Sequence, residues 1–238
     1  MVFEDFEFDA LSQVSSHAMI RRTAMAEIEV ASGARNSICQ LVVDSGYSFT
    51  TIVPFFNGLP LRHASTRIDV GGKLLTNLLA ENLSYKEINL KGETHLVNHI
   101  KEATCYVSRD FSADMKMARS KLQEYVLPDF KTVKRGFVKT QENVGSLDSD
   151  HQVVKMTNDR FSVPEILFNP GDIGINQAGI PEAIIQTIEK CPPAFHQQLF
   201  ANIVLAGGNS NLPGYADRIK QELDTLKPAG QQVRVHSV

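Results

Sequence analysis

Two apolar runs in this chain each end in a short polar turn. Leu41-Val42-Val43 enters Asp44-Ser45-Gly46-Tyr47-Ser48, and Phe49 to Pro54, rich in β-branched residues, leaves it; this is the pattern of a hairpin. Asn202 to Ala206 is the second run. It is followed by Gly207-Gly208-Asn209-Ser210 and then by Ala216, Ile219, Leu223 and Leu226 at helical spacing, so a buried strand, a glycine turn and a helix opened by Pro213 are expected in that order. Between the two runs the periodicity changes several times. Ala64 to Val70 reads as a strand, and Gly71-Gly72 opens a helix through Leu74, Leu75, Leu78 and Leu79. Glu93 to Val107 places Leu96, Val97, Ile100, Ala103 and Val107 on one helical side. Phe111 to Glu124 continues helical, Tyr125 to Leu127 is a strand, and Ile184, Ile185 and Ile188 face inward from a helix that starts at Gly179-Ile180-Pro181. Ser16 to Ala34 has the alanine, methionine and glutamate content of a helix, while Phe3, Phe6, Phe8, Leu11 and Val14 before it follow neither period and look like one side of a structure completed elsewhere. Strand and helix patterns thus alternate along the chain.

Composition narrows the class. A chain of 238 residues with 42% hydrophobic content can bury a substantial core. A net charge of −3 gives no global drive toward nucleic acid or an anionic membrane. No apolar run reaches the ~18 residues of a membrane span, and the N-terminus has no signal-peptide pattern. Cys39, Cys105 and Cys191 are too scattered for a disulfide framework or a zinc cluster and read as buried thiols. Lys131 to Asp150 departs from the rest: Lys131, Lys134, Arg135 and Lys139 precede a polar stretch with Gly145, Ser146 and Ser149. That stretch is expected to be a surface insertion or mobile loop, either merely solvated or a docking element.

The candidate chemistry sits in the turns. Gly46 can take positive φ, which would let consecutive amides converge into an anion nest, and Asp44 at the strand end could hold hydrated Mg²⁺ beside a phosphate. An ordinary hairpin whose Asp and Gly only make the turn accounts for the same residues. The Gly207-Gly208 turn lets a flat ligand approach the backbone, a generic nucleotide feature. Lys101 and Glu102, read alone, are two solvated charges. Neither a Gly-x-Gly-x-x-Gly nor a Walker A pattern occurs, nor a zinc-protease or Gly-x-Ser-x-Gly motif.

Taken in order, Val43-Asp44-Ser45-Gly46, Arg67-Ile68-Asp69-Val70-Gly71-Gly72, Ile100-Lys101-Glu102 with Cys105-Tyr106-Val107, Asp159-Arg160-Phe161 through Pro164-Glu165, and Val204-Leu205-Ala206-Gly207-Gly208-Asn209 with Pro213-Gly214 resemble the actin superfamily. The likeness runs from about Leu41 to Leu226. Val43 to Thr50, Val70 to Asn77 and Pro164 to Pro170 bring it closer to a nuclear actin-related branch than to conventional actin. The resemblance implies an α/β fold of the actin-like, ribonuclease H-like ATPase type, with mixed sheets flanked by helices and with ATP or ADP and Mg between two lobes. It implies that Asp44, Ser45, Gly46 and Tyr47 form the second phosphate loop, with Asp44 toward the metal. Gly72, Lys101 and Glu102 would line the ribose and adenine side, and Gly207, Gly208 and Asn209 would close over the nucleoside. The implied layout is residues 1–34 as a remnant of the first lobe, 35–70 with 175–238 as the subdomain of the two turns, and 71–174 as a smaller helical subdomain with an insertion at about 131–153. The family's companion phosphate hairpin and closing helices find no counterpart in the sequence, so a partial fold is implied.

The departures bear on mechanism. Where conventional actin has an acid after Ser-Gly, a His beyond it and a Gln on the preceding helix, this chain has Tyr47, Thr51 and Ser16. Water-positioning and general-base groups are worth about 10²- to 10⁴-fold, so binding without hydrolysis is the expectation. The branch resembled implies a non-catalytic scaffold in a remodelling complex that exchanges a variant histone into nucleosomes. Its partners would be a remodelling ATPase subunit and a zinc-bearing subunit, with the nucleosome contacted indirectly and no membrane, in the nucleus and secondarily the cytoplasm. An actin-superfamily ATPase or phosphotransferase, and a filament-forming cytoskeletal actin, are the alternatives.

Overall fold

A computed structural model describes residues 4–32, 38–86, 88–131, 133–140 and 151–238. Helix α1 (Ser16–Ser32) precedes strands β1 (Cys39–Ser45), β2 (Thr50–Phe56), β3 (Leu59–Pro60) and β4 (Thr66–Ile68). Helices α2 (Gly72–Lys86), α3 (Thr94–Thr104) and α4 (Phe111–Lys116) follow, then β5 (Gln123–Val126), β6 (Phe137–Val138) and β7 (Val153–Met156). The chain continues through α5 (Asp159–Glu165), α6 (Ile180–Glu189), α7 (Pro193–Phe200), β8 (Ile203–Ala206), α8 (Tyr215–Leu226) and β9 (Val235–Ser237). The larger sheet is mixed, ordered β3-β2-β1-β8-β9 with β4 on β2, and a second sheet is ordered β6-β5-β7.

β8 and the Leu41-Val42-Val43 stretch of β1 are continuously apolar and buried because both faces of the larger sheet are covered there. Leu41, Val43, Ile52, Ile203 and Leu205 join the principal core, which extends through α2, α3, α6 and α8. The alternate positions, Val42, Phe55 and Val204, face Ala24 of α1 in a smaller cluster. The register fixes what matters for function. β1 runs antiparallel to β2, Asp44 opposite Thr51, and parallel to β8, Asp44 beside Ala206. The turn after β1 and the turn after β8 therefore leave the sheet at the same end, side by side.

Several elements differ from the sequence expectation. The helix expected to reach Val107 stops at Thr104, because Tyr106 N–H bonds Arg160 O (2.9 Å) and Val107 N–H bonds Pro213 O (2.8 Å) instead of the preceding turn. The helix from Phe111 ends at Lys116; Gln123 and Glu124 are drawn into a strand by pairing with Met156 and Lys155. The strand expected over 64–70 is confined to β4, after a 3₁₀ turn at Arg62–Ala64. Part of the expected insertion is ordered too. Phe137 and Val138 pair with Val126 and Tyr125, and Arg135 Nε donates to His99 Nε2 on α3 at 2.8 Å. Residues 141–150 of that segment lie outside the described residues. Residues 4–15 form no helix or strand, and Phe6, Phe8, Leu11 and Val14 are exposed. No described helix is long and apolar enough to cross a membrane.

Candidate functional site

The two turns are in contact. Gly207 has φ +93, and a Cβ there would lie 2.3 Å from Ser45 O and 2.8 Å from Asp44 Oδ1; only glycine permits that backbone and that approach. Asn209, buried, donates through Nδ2 to Ser45 Oγ (3.1 Å) and Gly46 O (2.9 Å). Ser45 Oγ meets Thr50 Oγ1 at 3.0 Å, and Thr50 Oγ1 donates to Val70 O at 2.9 Å. This buried polar chain ties both turns to the start of α2, and its loss would strand each member without water.

The first turn of α2 completes the site. Gly72 N–H bonds Gly46 O (3.0 Å) and Lys73 N–H bonds Tyr47 O (2.7 Å). Gly71 is required by contact, since a Cβ there would sit 2.7 Å from Tyr47 O and from Phe49 N. A Cβ on Gly72 would lie 3.2 Å from Asn209 Oδ1, 3.3 Å from Lys101 Nζ and 3.5 Å from Tyr47 Cα, so these four residues border one space. Gly208 has nothing within 4 Å of its Cβ position and opens onto the gap.

Lys101 is 4% exposed. Its ammonium donates to Gly72 O (3.1 Å), Thr76 Oγ1 (3.1 Å) and Asn98 Oδ1 (2.9 Å), all neutral acceptors. Burial pushes its pKa below the ordinary lysine value, against the pull of the Glu102 carboxylate. Its three N–H donors are thus all used, and what it offers a ligand at the edge of the gap is an uncompensated positive charge. Glu102 is exposed on the flank of α3 and accepts from Asn98 Nδ2 at 2.7 Å.

Asp44, Ser45, Gly46, Tyr47, Gly72, Lys101, Gly207, Gly208 and Asn209 are thus gathered, with Glu102 at the rim. The nest itself forms differently than expected. Gly46 does not adopt positive φ, and its N–H closes the turn on Phe49 O at 3.2 Å. The Gly72 amide is likewise spent on the turn. Among the described residues the amides of Tyr47 and Ser48 have no acceptor, which leaves them open to an anion. No group of three His, Cys, Asp or Glu side chains is gathered for a metal among the described residues. Asp44 would therefore hold Mg²⁺ only through water and phosphate oxygens. The glycine approach, the two open amides, Lys101 and Asp44 fit a nucleotide polyphosphate with its magnesium.

Sequence reasoning missed three residues. Thr76 and Asn98 hold the Lys101 ammonium, and their spacing from Lys101 on α2 and α3 carries no motif. His17 Nε2 lies 2.5 Å from Thr51 Oγ1, on the α1-covered side of the sheet beside Asp44. Only the fold brings residues 34 positions apart into contact.

Comparisons with known proteins agree with this geometry. The family model described as Actin matches residues 1–238. Actin-related protein 6 of Drosophila melanogaster is 38% identical over 239 residues, covering 98% of this chain and 60% of the relative. Actin-like protein arp6 of Aspergillus fumigatus is 39% identical over 225 residues, covering 83% of this chain and 48% of the relative. Actin-related protein 6 of Arabidopsis thaliana is 36% identical over 260 residues, covering 99% and 62%. The chain spans about half to three-fifths of the length of these curated relatives.

Proposed function

The chain belongs to the actin family, and from that premise we propose that it is a non-catalytic actin-related scaffold that holds ATP or ADP with magnesium without turning it over. The observation that carries this reading is the convergence of the Asp44 turn, the Gly207-Gly208 turn and Lys101 on one gap, combined with Tyr47 and Thr51 at positions where conventional actin has acid and imidazole. Asp44 would orient the metal, the Tyr47 and Ser48 amides would bind phosphate oxygens, Gly72, Lys101 and Glu102 would lie on the ribose and adenine side, and Gly208 would lie against the nucleoside. Bound nucleotide supplies the charge that Lys101 lacks and stabilises the fold by linkage, about 2.7 kcal/mol at a hundredfold excess over Kd.

Resemblance to the nuclear branch extends the reading to a complex. The scaffold would serve in a chromatin remodeller that exchanges a variant histone, docked on the remodelling ATPase and a zinc-bearing subunit, within the nucleus. The segment from Lys131 to Asp150 is the proposed docking element for those partners.

The test is nucleotide content and turnover of the purified 238-residue chain, read by release of bound nucleotide on acid denaturation and by phosphate production. Stoichiometric nucleotide with background turnover is expected. Turnover on the order of one per second, typical of a kinase, would overturn the scaffold reading, decisively so if His17→Ala abolished it. Deletion of residues 131–150 in the assembled complex should release partner subunits at unchanged nucleotide content.

A further inference from the structure

A second cleft, of about 680 Å³, lies where α3 ends, between α4 and the Pro213-Gly214 turn. None of Asp44 to Tyr47, Gly72, Lys101 or Gly207 to Asn209 lines it. Its volume falls in the range of preformed small-ligand sites. The walls are tied to one another. Tyr106 and Val107 are fastened by the amide bonds to Arg160 O and Pro213 O, and Gly214 (φ +84) packs so closely that a Cβ would be 2.4 Å from Val107 O.

The charges in the cleft are unevenly satisfied. Lys121 pairs with Asp114 (3.2 Å), which also accepts from Tyr106 OH (3.0 Å). Arg109 pairs with Asp217, and Asp110 caps α4 by accepting from Ala113 N–H at 2.9 Å. Arg160 is different. Its Nε donates to Thr104 O (2.8 Å) and its Nη1 to Lys121 O (2.6 Å), with the guanidinium 5.2 Å from the centre of the Tyr106 ring. These partners fix its plane, yet none carries a full negative charge, and no ion pair among the described residues neutralises it. An oriented, half-buried guanidinium without a counter-ion is a carboxylate receptor. On the same wall, Gln123 Oε1 is buried without a donor.

We propose that this cleft is a docking site for an acidic peptide segment of a partner protein, seating one carboxylate on Arg160 and an apolar side chain against Tyr106 and Pro213. A peptide suits the lining better than a nucleic-acid strand does. Asp110 and Asp114 would repel a run of phosphates, whereas a peptide brings a single carboxylate together with N–H donors for those acids. The site stands apart from the nucleotide gap and holds whether or not nucleotide binds.

The probe is the fluorescein-labelled hexapeptide GELDLG, titrated with the full 238-residue chain and followed by anisotropy, beside GQLNLG and a labelled six-nucleotide oligothymidylate. Loss of a charge-assisted bond predicts that GELDLG binds at least about tenfold tighter than GQLNLG. Ala103 is exposed at the cleft and not part of the core, so Ala103→Trp fills the space without changing charge. It should weaken GELDLG binding by about tenfold or more at an unchanged melting temperature, and Arg160→Gln should remove the preference for the acidic peptide. Absent GELDLG binding, equal binding of the two peptides, binding unaffected by Ala103→Trp, or oligothymidylate bound as tightly as GELDLG would each overturn the proposal.

Discussion

The nucleotide gap and the Arg160 cleft are built on opposite principles. In the first, backbone meets backbone: Gly71, Gly72 and Gly207 allow two turns and a helix start to touch, and the polar atoms among them are bonded to one another. In the second, long charged side chains from α4, the 3₁₀ turn after it and α5 surround open space, and the pairing is through exposed or half-exposed ions. A site of the first kind tolerates little change because its backbones touch and its buried polar atoms have only one another as partners. One of the second kind can lose a group and keep its shape.

The sharpest way to break this contrast is at the two adjacent glycines. Gly207→Ala forces a side chain into left-handed backbone and against Ser45 O and Asp44 Oδ1. Strain and overpacking together should cost about 3 kcal/mol or more, seen as a lowered urea midpoint, and should abolish nucleotide retention. Gly208→Ala meets nothing within 4 Å. It should leave the urea midpoint within about 0.5 kcal/mol and weaken nucleotide binding alone. If both variants unfold alike, the gap beside Gly208 is not open.

The same contrast explains what was legible in the sequence. Backbone proximity leaves glycines behind, so Gly71-Gly72 and Gly207-Gly208, next to apolar runs, mark their turns before any coordinates are known. What glycine cannot reveal is who takes the amides. Gly46 spends its amide closing the hairpin on Phe49 O, and Gly72 spends its own where α2 docks its first turn on the carbonyls of Gly46 and Tyr47, which leaves the Tyr47 and Ser48 amides open. The early stop of α3 has the same origin, since partners distant in sequence, Arg160 and Pro213, compete for amides that local periodicity assigns to the helix. The Arg160 cleft is not legible as a site. Its lining comes as short runs, Ala103 to Val107, Arg109-Asp110 and Pro213-Gly214, and as single residues from other segments, and no spacing in the sequence joins them.

Lys101 gives the next largest effect and separates the two sites by pH. As a base whose folded pKa is lowered by burial, it favours the neutral form in the folded chain, so its charge is a penalty at neutral pH that fades as pH rises toward the ordinary lysine range. The negative charge of a nucleotide bound in the adjoining gap offsets part of that penalty. The rise in melting temperature produced by Mg-ATP should therefore be largest near about pH 7 and shrink toward the lysine range. Lys101→Met should lose about tenfold in nucleotide affinity and flatten the pH dependence. GELDLG binding at the Arg160 cleft, whose guanidinium stays charged throughout, should not change in this variant.

The smallest effect is expected at Tyr106→Phe, which deletes the hydroxyl donated to Asp114 and leaves the ring under Arg160 and Lys121. Asp114 keeps Lys121 as a partner, so the loss should be about 1 kcal/mol or less. Burial, followed by the bond to Asp114, pushes the Tyr106 pKa up to about 12. An acid with a raised folded pKa contributes its stability fully below the unfolded value, about 10 for tyrosine, and loses it as pH climbs toward the folded one. Wild-type chain should accordingly lose more stability than Tyr106→Phe across that alkaline window. Because the ring and Arg160 stay in place, GELDLG should bind the variant within about twofold of wild type; a larger loss would mean that the hydroxyl, through Asp114, shapes the cleft as rigidly as glycine shapes the gap.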